Sequence, residues 1–413
     1  LNGLHLIEAS AGTGKTWTLS TLMVRLIVQG EYLTRQIIAT TFTRAAAAEL
    51  KLRIRKRFEE FRSLFHEAMF EHAAVLQRMH AQEDWLAVYL LQTLDLEQIL
   101  HGKNRLQLAL DSFDELFVGT LDSFCQKLLN EFAFDSGQHE ILQISEQEAE
   151  ACYQVMHDAL RHWRSQQSPQ LIEFLVLTDQ LKQVEDYRGS ITTVLNFLSA
   201  QLQPAELPIF DWAAYQAVYQ QVTALDDTQL AGFDAFFAVD GAYHPHLHGS
   251  KCFKKHGNLL KPLLHSIGQN DLSYLLQLHE HKKYADLLDG FLAIDGMFNK
   301  KPADQLALQQ FHALEGVAVI QQLAQLRQQL SQQLEQVSQH LHYYLSHTVR
   351  QQLPQILSER GETTFSQQMR VLGDVLQQDS SQLLARHIQH RYPVALVDEF
   401  QDTNFDQDRV IAH

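Results

Sequence analysis

The sequence predicts an α/β fold, a parallel sheet interrupted by a large and mostly α-helical insertion, and three observations carry that expectation. A glycine-rich loop opens the chain between an apolar run and an amphipathic stretch. An apolar run that ends in two carboxylates lies near the other terminus, and the long middle changes to polar–apolar helical patterning. The boundaries read as 1–140 for the first part of the sheet domain, 141–350 for the helical insertion and 351–413 for the second part.

Ala9-Ser10-Ala11-Gly12-Thr13-Gly14-Lys15-Thr16 follows the apolar run Leu4 to Ile7 and precedes Trp17 to Val28. Strand, loop and helix in that order make a phosphate-binding loop. Glycines let successive backbone N–H groups turn towards a polyphosphate, Lys15 neutralises the β- and γ-phosphates, and the Thr16 hydroxyl ligates Mg²⁺. The helix N-terminus adds its own preference for anions. Ala9 stands at the first glycine position and is small enough for the turn. ATP and Mg²⁺ are the expected ligands.

Ile37-Ile38-Ala39-Thr40-Thr41-Phe42-Thr43-Arg44 is a second short strand, running into the strong helix former Ala45 to Leu50. Its end suits single-stranded nucleic acid, with Thr41, Thr43 and Arg44 for phosphates and Phe42 for a base. Lys51, Arg53, Arg55, Lys56 and Arg57 continue as a basic stripe, which is either a DNA track or a solvated helix face. Val118-Gly119-Thr120-Leu121-Asp122-Ser123-Phe124-Cys125 repeats the strand-to-helix pattern and adds Thr120, Ser123 and Phe124 to the expected DNA contacts.

From Ile141 to about Arg350 long helices dominate, with loop signals at Pro204 to Pro208, Gly241 to Gly257 and Lys300 to Pro302. Ile320, Leu323, Leu330, Leu334, Val337, Leu341 and Leu345 recur at helical spacing, opposite a Gln-rich face. The segment His244 to His256 alternates histidines beside Cys252. A flexible loop explains it better than zinc. Lys251, Lys254 and Lys255, with Phe253 interleaved, are the better candidates for a DNA contact.

Val394-Ala395-Leu396-Val397 then runs into Asp398-Glu399-Phe400-Gln401-Asp402-Thr403, a Walker B element. Asp398 is expected to hold Mg²⁺ through water, Glu399 to orient and deprotonate the attacking water, and Gln401 to reach the γ-phosphate. All four expected strands, near 4–8, 36–42, 116–120 and 394–398, lead to motifs at their carboxyl ends, where ligands of parallel sheets gather.

The order of Ala9 to Thr16, Thr41-Phe42-Thr43-Arg44-Ala45-Ala46-Ala47-Ala48-Glu49-Leu50, Gly119 to Cys125 and Asp398 to Thr403 resembles motifs I, Ia, Ib and II of superfamily 1A (UvrD/Rep-like) DNA helicases. The flavour of Leu6 to Thr16, of Phe124 to Gly137 and of Arg391 to Thr403 is that of the RecB branch. This resemblance implies a RecA-like P-loop NTPase, an ATP-dependent helicase moving 3′ to 5′ on single-stranded DNA. It implies work at duplex ends in double-strand break repair, within exodeoxyribonuclease V beside RecC-like and RecD-like subunits. Asp122 stands where the family usually has His, and Phe365-Ser366-Gln367-Gln368-Met369 replaces an acidic family pattern. The resemblance also leads one to expect a second motor lobe and a nuclease domain beyond this stretch, and a chain that hydrolyses ATP poorly alone. A stand-alone UvrD-type repair helicase is the alternative within the class. A non-motor nucleotide switch or a subunit-binding scaffold are alternatives outside it.

The 413 residues suffice for two or three domains with real cores. Cys125, Cys152 and Cys252 show no paired spacing, which suggests reduced thiols in a cytoplasmic protein. No apolar run approaches the ~20 residues of a membrane span. The net charge of −16 argues against a non-specific DNA coat, while a motor needs only a local positive and aromatic track.

Overall fold

β1 (Ile37–Thr41) is buried along its whole length and forms the middle of a parallel three-stranded sheet in the order β2–β1–β5, with β2 at Phe117–Thr120 and β5 at Val394–Val397. The computed structural model describes residues 3, 5–7, 15–132, 142–278, 281–378 and 382–411. The phosphate-loop residues Ala9, Ser10, Ala11, Gly12, Thr13 and Gly14 lie outside them. The chain divides into two compact units. One is Leu1–Ala151, Val194–Ala200 and Leu353–His413; the other is Cys152–Thr193 and Gln201–Gln352.

Side chains of β1 alternate between two cores, as the pleat requires. Ile37 and Ala39 join a cluster built from α1 (Lys15–Val28), α2 (Arg44–Ala81), α3 (Trp85–Thr93) and α4 (Leu96–Asp111). Ile38 joins the other, formed by α5 (Leu121–Glu131) and the helices Phe365–Gln378, Leu383–Arg391 and Phe405–Ile411. Cover on both faces explains the unbroken apolar run of a central parallel strand. Met23, Val24 and Ile27 of α1 are at most 2% exposed, and burying each such side chain contributes roughly 1.5–3 kcal/mol.

Three of the four expected strands form. The first, expected near 4–8, is not seen among its described residues: 5–7 are not in a strand, and Leu6 and Ile7 are 73% and 55% exposed. They lack the two-sided cover that a strand inside a parallel sheet has. The sequence did not indicate a second, two-stranded parallel sheet, in which β3 (Gln143–Ile144) pairs with β4 (Glu362–Thr363).

Helix starts follow their side chains. Thr43 caps α2, Asp84 caps α3, Asp95 makes a capping box with Gln98 on α4, and Thr120 caps α5.

The second unit is helical. Its longest helix, Glu315–Glu359, continues into the sheet-bearing unit. Ile320, Leu323, Leu330, Leu334, Val337, Leu341 and Leu345, the expected apolar stripe, are all buried. Phe311 sits at the centre of an aromatic core, 5.1 to 5.8 Å from the rings of Phe233, Phe236, Phe237, Phe253 and Phe298. Trp163 Nε1 donates to His340 Nε2 at 3.0 Å, and His340 Nδ1 lies 2.8 Å from the Ala205 carbonyl. That pair of bonds sets the proton of His340 on Nδ1.

The segment 244–256 is ordered differently from the expected flexible loop. A 3₁₀ turn at His244–His246 and a short helix at Cys252–His256 structure it, and Leu247 bridges Phe298. His246 Nδ1 is 2.7 Å from Asp304 Oδ1, which holds that carboxyl below the usual range. Among the described residues no group of His, Cys, Asp and Glu is placed to hold a metal ion, and no helix is long and apolar enough to cross a membrane.

Candidate functional site

Lys15 and Thr16 open the described part of α1, directly after the glycine-rich segment 9–14 in the sequence. Opposite them β5 ends at Val397. The ladder continues one step further, because the Asp398 N–H donates to the Thr40 carbonyl at 2.9 Å. The chain then turns through Glu399 in a left-handed conformation (φ 53°, ψ 43°) that non-glycine residues rarely adopt. The Glu399 N–H donates back to Asp398 Oδ1 at 3.0 Å.

This turn brings the Glu399 carboxylate to Lys15. Oε1 lies 2.6 Å from Lys15 Nζ, and Gln401 Nε2 donates to Oε2 at 2.5 Å. The two charged side chains are 28% and 32% exposed. The hydrogen bond to Lys15, reinforced by the lysine's charge and by the hydrogen bond from the Gln401 amide, holds the Glu399 carboxyl below its ordinary range. The same bond raises Lys15, aided by the charges of Glu399, Asp398 and Asp402. Lys15, Glu399 and Gln401 are therefore joined, with Asp398 one residue away. Asp398 Oδ1 is taken by the Glu399 amide, and Oδ2 makes no hydrogen bond among the described residues. Together with the Thr16 hydroxyl it is an oxygen-only donor set, which fits a hydrated Mg²⁺.

The neighbouring strand ends carry the expected DNA contacts. Thr41 of β1 pairs in register with Thr120 of β2, so both turns emerge on the same edge of the sheet as the acidic turn. Phe42 is 63% exposed, and Thr43 and Arg44 are exposed beside it. Thr43 also has a structural task, since its Oγ1 accepts the Ala46 N–H at 3.1 Å. Thr120 Oγ1 accepts the Ser123 N–H at 3.3 Å and lies 2.8 Å from Ser123 Oγ. Two expected contacts are buried. Thr41 is 5% exposed and donates to the Thr43 carbonyl at 3.0 Å. Phe124 is 5% exposed, packed 5.3 Å from the Phe117 ring and 5.5 Å from that of Tyr392. A ring so enclosed is taken by core packing and has no face to offer a base.

Asp122, at the position that departs from the helicase pattern, accepts a hydrogen bond from Gln407 Nε2 at 3.4 Å. The basic stripe is largely neutralised along α2. Arg53 pairs with Glu49, Arg55 with Glu59 at 3.4 Å, Lys56 with Glu60 at 4.0 Å, and Arg57 with Asp84 at 2.6 Å. A solvated helix face accounts for it. Sequence reasoning passed over Trp17, which is 45% exposed two residues after Lys15, with the Arg57 guanidinium 5.3 Å from its ring centroid. A large aromatic in the first turn of an otherwise aliphatic helix was the available signal.

Near the His/Lys segment, Phe253 is fully buried, so it does not interleave with the lysines as an exposed ring. Lys251 and Lys255 are exposed and line an open groove with Asp286 and Asp289.

Comparison with known proteins gives a match along residues 1–413 to the family described as UvrD/REP helicase N-terminal domain. The RecBCD enzyme subunit RecB of Escherichia coli (strain K12) is 26% identical over 99% of this chain and 32% of its own length. The RecB subunit of Haemophilus influenzae is 25% identical over 98% of the chain and 34% of its own length, and that of Chlamydia muridarum 28% identical over 57% of the chain. The chain thus spans about a third of the length of the first two relatives.

Proposed function

The chain belongs to the UvrD/REP helicase family, whose N-terminal domain it matches from end to end, and from that premise we propose that it is the ATP-binding lobe of a DNA helicase motor of the RecB type. The observation that carries the proposal is the ion pair between Lys15 at the start of α1 and Glu399 at the end of β5. A lysine that follows a glycine loop and a carboxylate that follows an apolar strand have met at one edge of a parallel sheet, where a magnesium-bound triphosphate would need both.

In this reading the backbone of Ala9, Ser10, Ala11, Gly12, Thr13 and Gly14 cradles the phosphates, and Lys15 neutralises them. Thr16 would hold Mg²⁺ directly and Asp398 through water, and the ion would offset the charge of the phosphate oxygens. Glu399 orients and deprotonates the attacking water once Lys15 has turned to the phosphates, and Gln401 reports the γ-phosphate. Phe42 stacks on a base of single-stranded DNA, and Thr43, Arg44, Thr120 and Ser123 meet its phosphates. Thr41 and Phe124 support these turns from beneath.

The whole motor would travel 3′ to 5′ on single-stranded DNA, enter from duplex ends, and act in double-strand break repair beside RecC-like and RecD-like subunits. Similarity to RecB over nearly the full chain supports that branch over a stand-alone repair helicase. Glu399 beside Asp398, suited to attack by water, argues against a non-hydrolysing switch. The test is ATP hydrolysis with and without single-stranded DNA, in the full-length parent protein and in its Lys15→Ala and Glu399→Gln variants. DNA-stimulated turnover lost in both variants is expected; turnover that survives Glu399→Gln would overturn the assignment.

A further inference from the structure

The acidic turn has two ends. Its upstream end is fixed by the β1–β5 ladder through the Asp398 N–H. Its downstream end is the helix Phe405–Ile411. Tertiary contacts hold its start. Asn404 and Gln407 exchange side-chain and backbone bonds at 2.9 and 3.0 Å, Gln407 reaches Asp122, and Arg409 donates to Asp374 at 2.9 Å.

The remaining contact is the unusual one. Asp406 is 6% exposed, and only Asp304 shares that degree of burial among the described carboxylates. Burying a carboxylate is costly unless it is paired and hydrogen-bonded. Ser199 supplies the bonds: its Oγ donates to Asp406 Oδ1 and its backbone N–H approaches Oδ2 at 3.4 Å. Arg409 Nη1 stands 3.9 Å from Oδ1. An acid in the first turn of a helix gains something from the helix dipole, but that gain needs neither burial nor a partner from another segment. Ser199 belongs to Val194–Ala200, a stretch that groups with the sheet-bearing unit although the residues before and after it group with the other. Its neighbour Leu198 is 5% exposed, and Leu195 and Leu198 line a small apolar cavity with Leu353, Leu357 and Gln367.

Glu399 gives the second reason. A non-glycine residue at φ 53° is strained, as Glu31, Glu83, Asp179 and Gln382 also are, and such strain persists where the surroundings over-determine it; around Glu399 these are the strand before it and the helix after it. One side is the strand ladder. We propose that Asp406, pinned by Ser199, is the other: a positioning residue that fixes the start of Phe405–Ile411, and with it the reach of Glu399 and Gln401 towards Lys15. The inference rests on the reading of residues 398–401 as the hydrolytic turn.

Asp406→Asn, Ser199→Ala and the double variant, made in the full chain, test it by two measurements. In DNA-stimulated ATP hydrolysis, each single variant is expected to lower kcat on the order of ten- to a hundredfold with KM for ATP unchanged, and the double variant to be no worse than either. In amide exchange, residues 399–404 are expected to lose protection while Ile37–Thr41 keep theirs. Additive losses in kcat, a KM that rises as kcat falls, unchanged exchange at 399–404, or loss of protection in the turn and β1 alike would each overturn the proposal. A parent that hydrolyses no ATP would instead count against the hydrolytic reading, and the exchange measurement would still decide whether Asp406 positions the turn.

Discussion

Lys15 and Glu399 stand 384 positions apart in the chain, and their side chains meet at 2.6 Å. On the proposed reading, the lysine that would receive phosphates is engaged by the carboxylate that would take a proton from water, so nucleotide would have to displace Glu399 from Lys15. Glu399→Gln keeps the shape and removes the competing charge. It is expected to lower hydrolysis by roughly two to four orders of magnitude while tightening nucleotide binding, whereas Lys15→Ala loses both. Titration with a fluorescent ATP analogue beside a turnover assay separates the two effects. Weaker binding by Glu399→Gln would mean that the pair does not compete with nucleotide.

The same pair sets a pH window. Lys15 holds the Glu399 carboxyl below its ordinary value of 4.5, a contribution to stability that is present above that value and lost as pH falls through the lowered one. Glu399 holds Lys15 above its ordinary value of 10.5, a contribution present below that value and lost as pH rises through the raised one. The nucleotide-free ion pair is therefore intact from about 4.5 to 10.5. Both groups are open to solvent, so the effect is small and falls with salt. The difference in melting temperature between parent and Glu399→Gln should stay constant inside that window and shrink below it. A difference that changes between neutral and mildly alkaline pH would contradict this account.

How far the sequence reaches can be judged from particular elements. Ile37–Thr41, Phe117–Thr120 and Val394–Val397 were legible because each is a short apolar run broken by hydroxyl or acidic residues, and the stripe Ile320 to Leu345 because its spacing is helical. Phe124 was misread because a motif shows which residues stand near a strand end and not which core they fall into. Its ring drops between Phe117 and Tyr392, where a single-sequence pattern gives no warning. The basic stripe stays open between a track and a solvated face in the sequence; its partners Glu49, Glu59 and Glu60 stand at helical spacing, and the ion pairs they form favour the solvated face. Ser199 carries no local pattern at all. Only the fold brings it to Asp406, 207 positions away.

On the DNA side, neighbouring residues should separate by task. Phe42 is exposed and touches no core, so Phe42→Ala should leave the melting temperature alone and weaken single-stranded DNA binding by about 1–3 kcal/mol, the worth of one stacked base. Thr43 caps α2, so Thr43→Ala should cost about 1 kcal/mol of stability in chemical denaturation. If Phe42→Ala binds DNA as the parent does, the track does not run over the end of β1.

Phe253 and the lysines around it offer the opposite contrast inside the helical unit. The helix Cys252–His256 turns Phe253 into the aromatic core, 5.0 Å from the Phe291 ring and 5.4 Å from those of Phe237 and Phe311, and leaves Lys251 and Lys255 exposed. Phe253→Ala should therefore cost about 3–5 kcal/mol through the cavity it leaves, with any loss of DNA binding following the loss of fold. Reversal of Lys251, Lys254 and Lys255 to glutamate should do the reverse. Stability stays near that of the parent, duplex affinity falls, and the dependence of log affinity on log salt becomes shallower by about 0.9 for each lysine that met a phosphate. The groove that Lys251 and Lys255 line also carries Asp286 and Asp289, whose charges would repel a backbone brought too deep. The phosphates are thus expected at the rim, on the lysine side. An unchanged salt slope in the triple variant would leave these lysines as solvated surface.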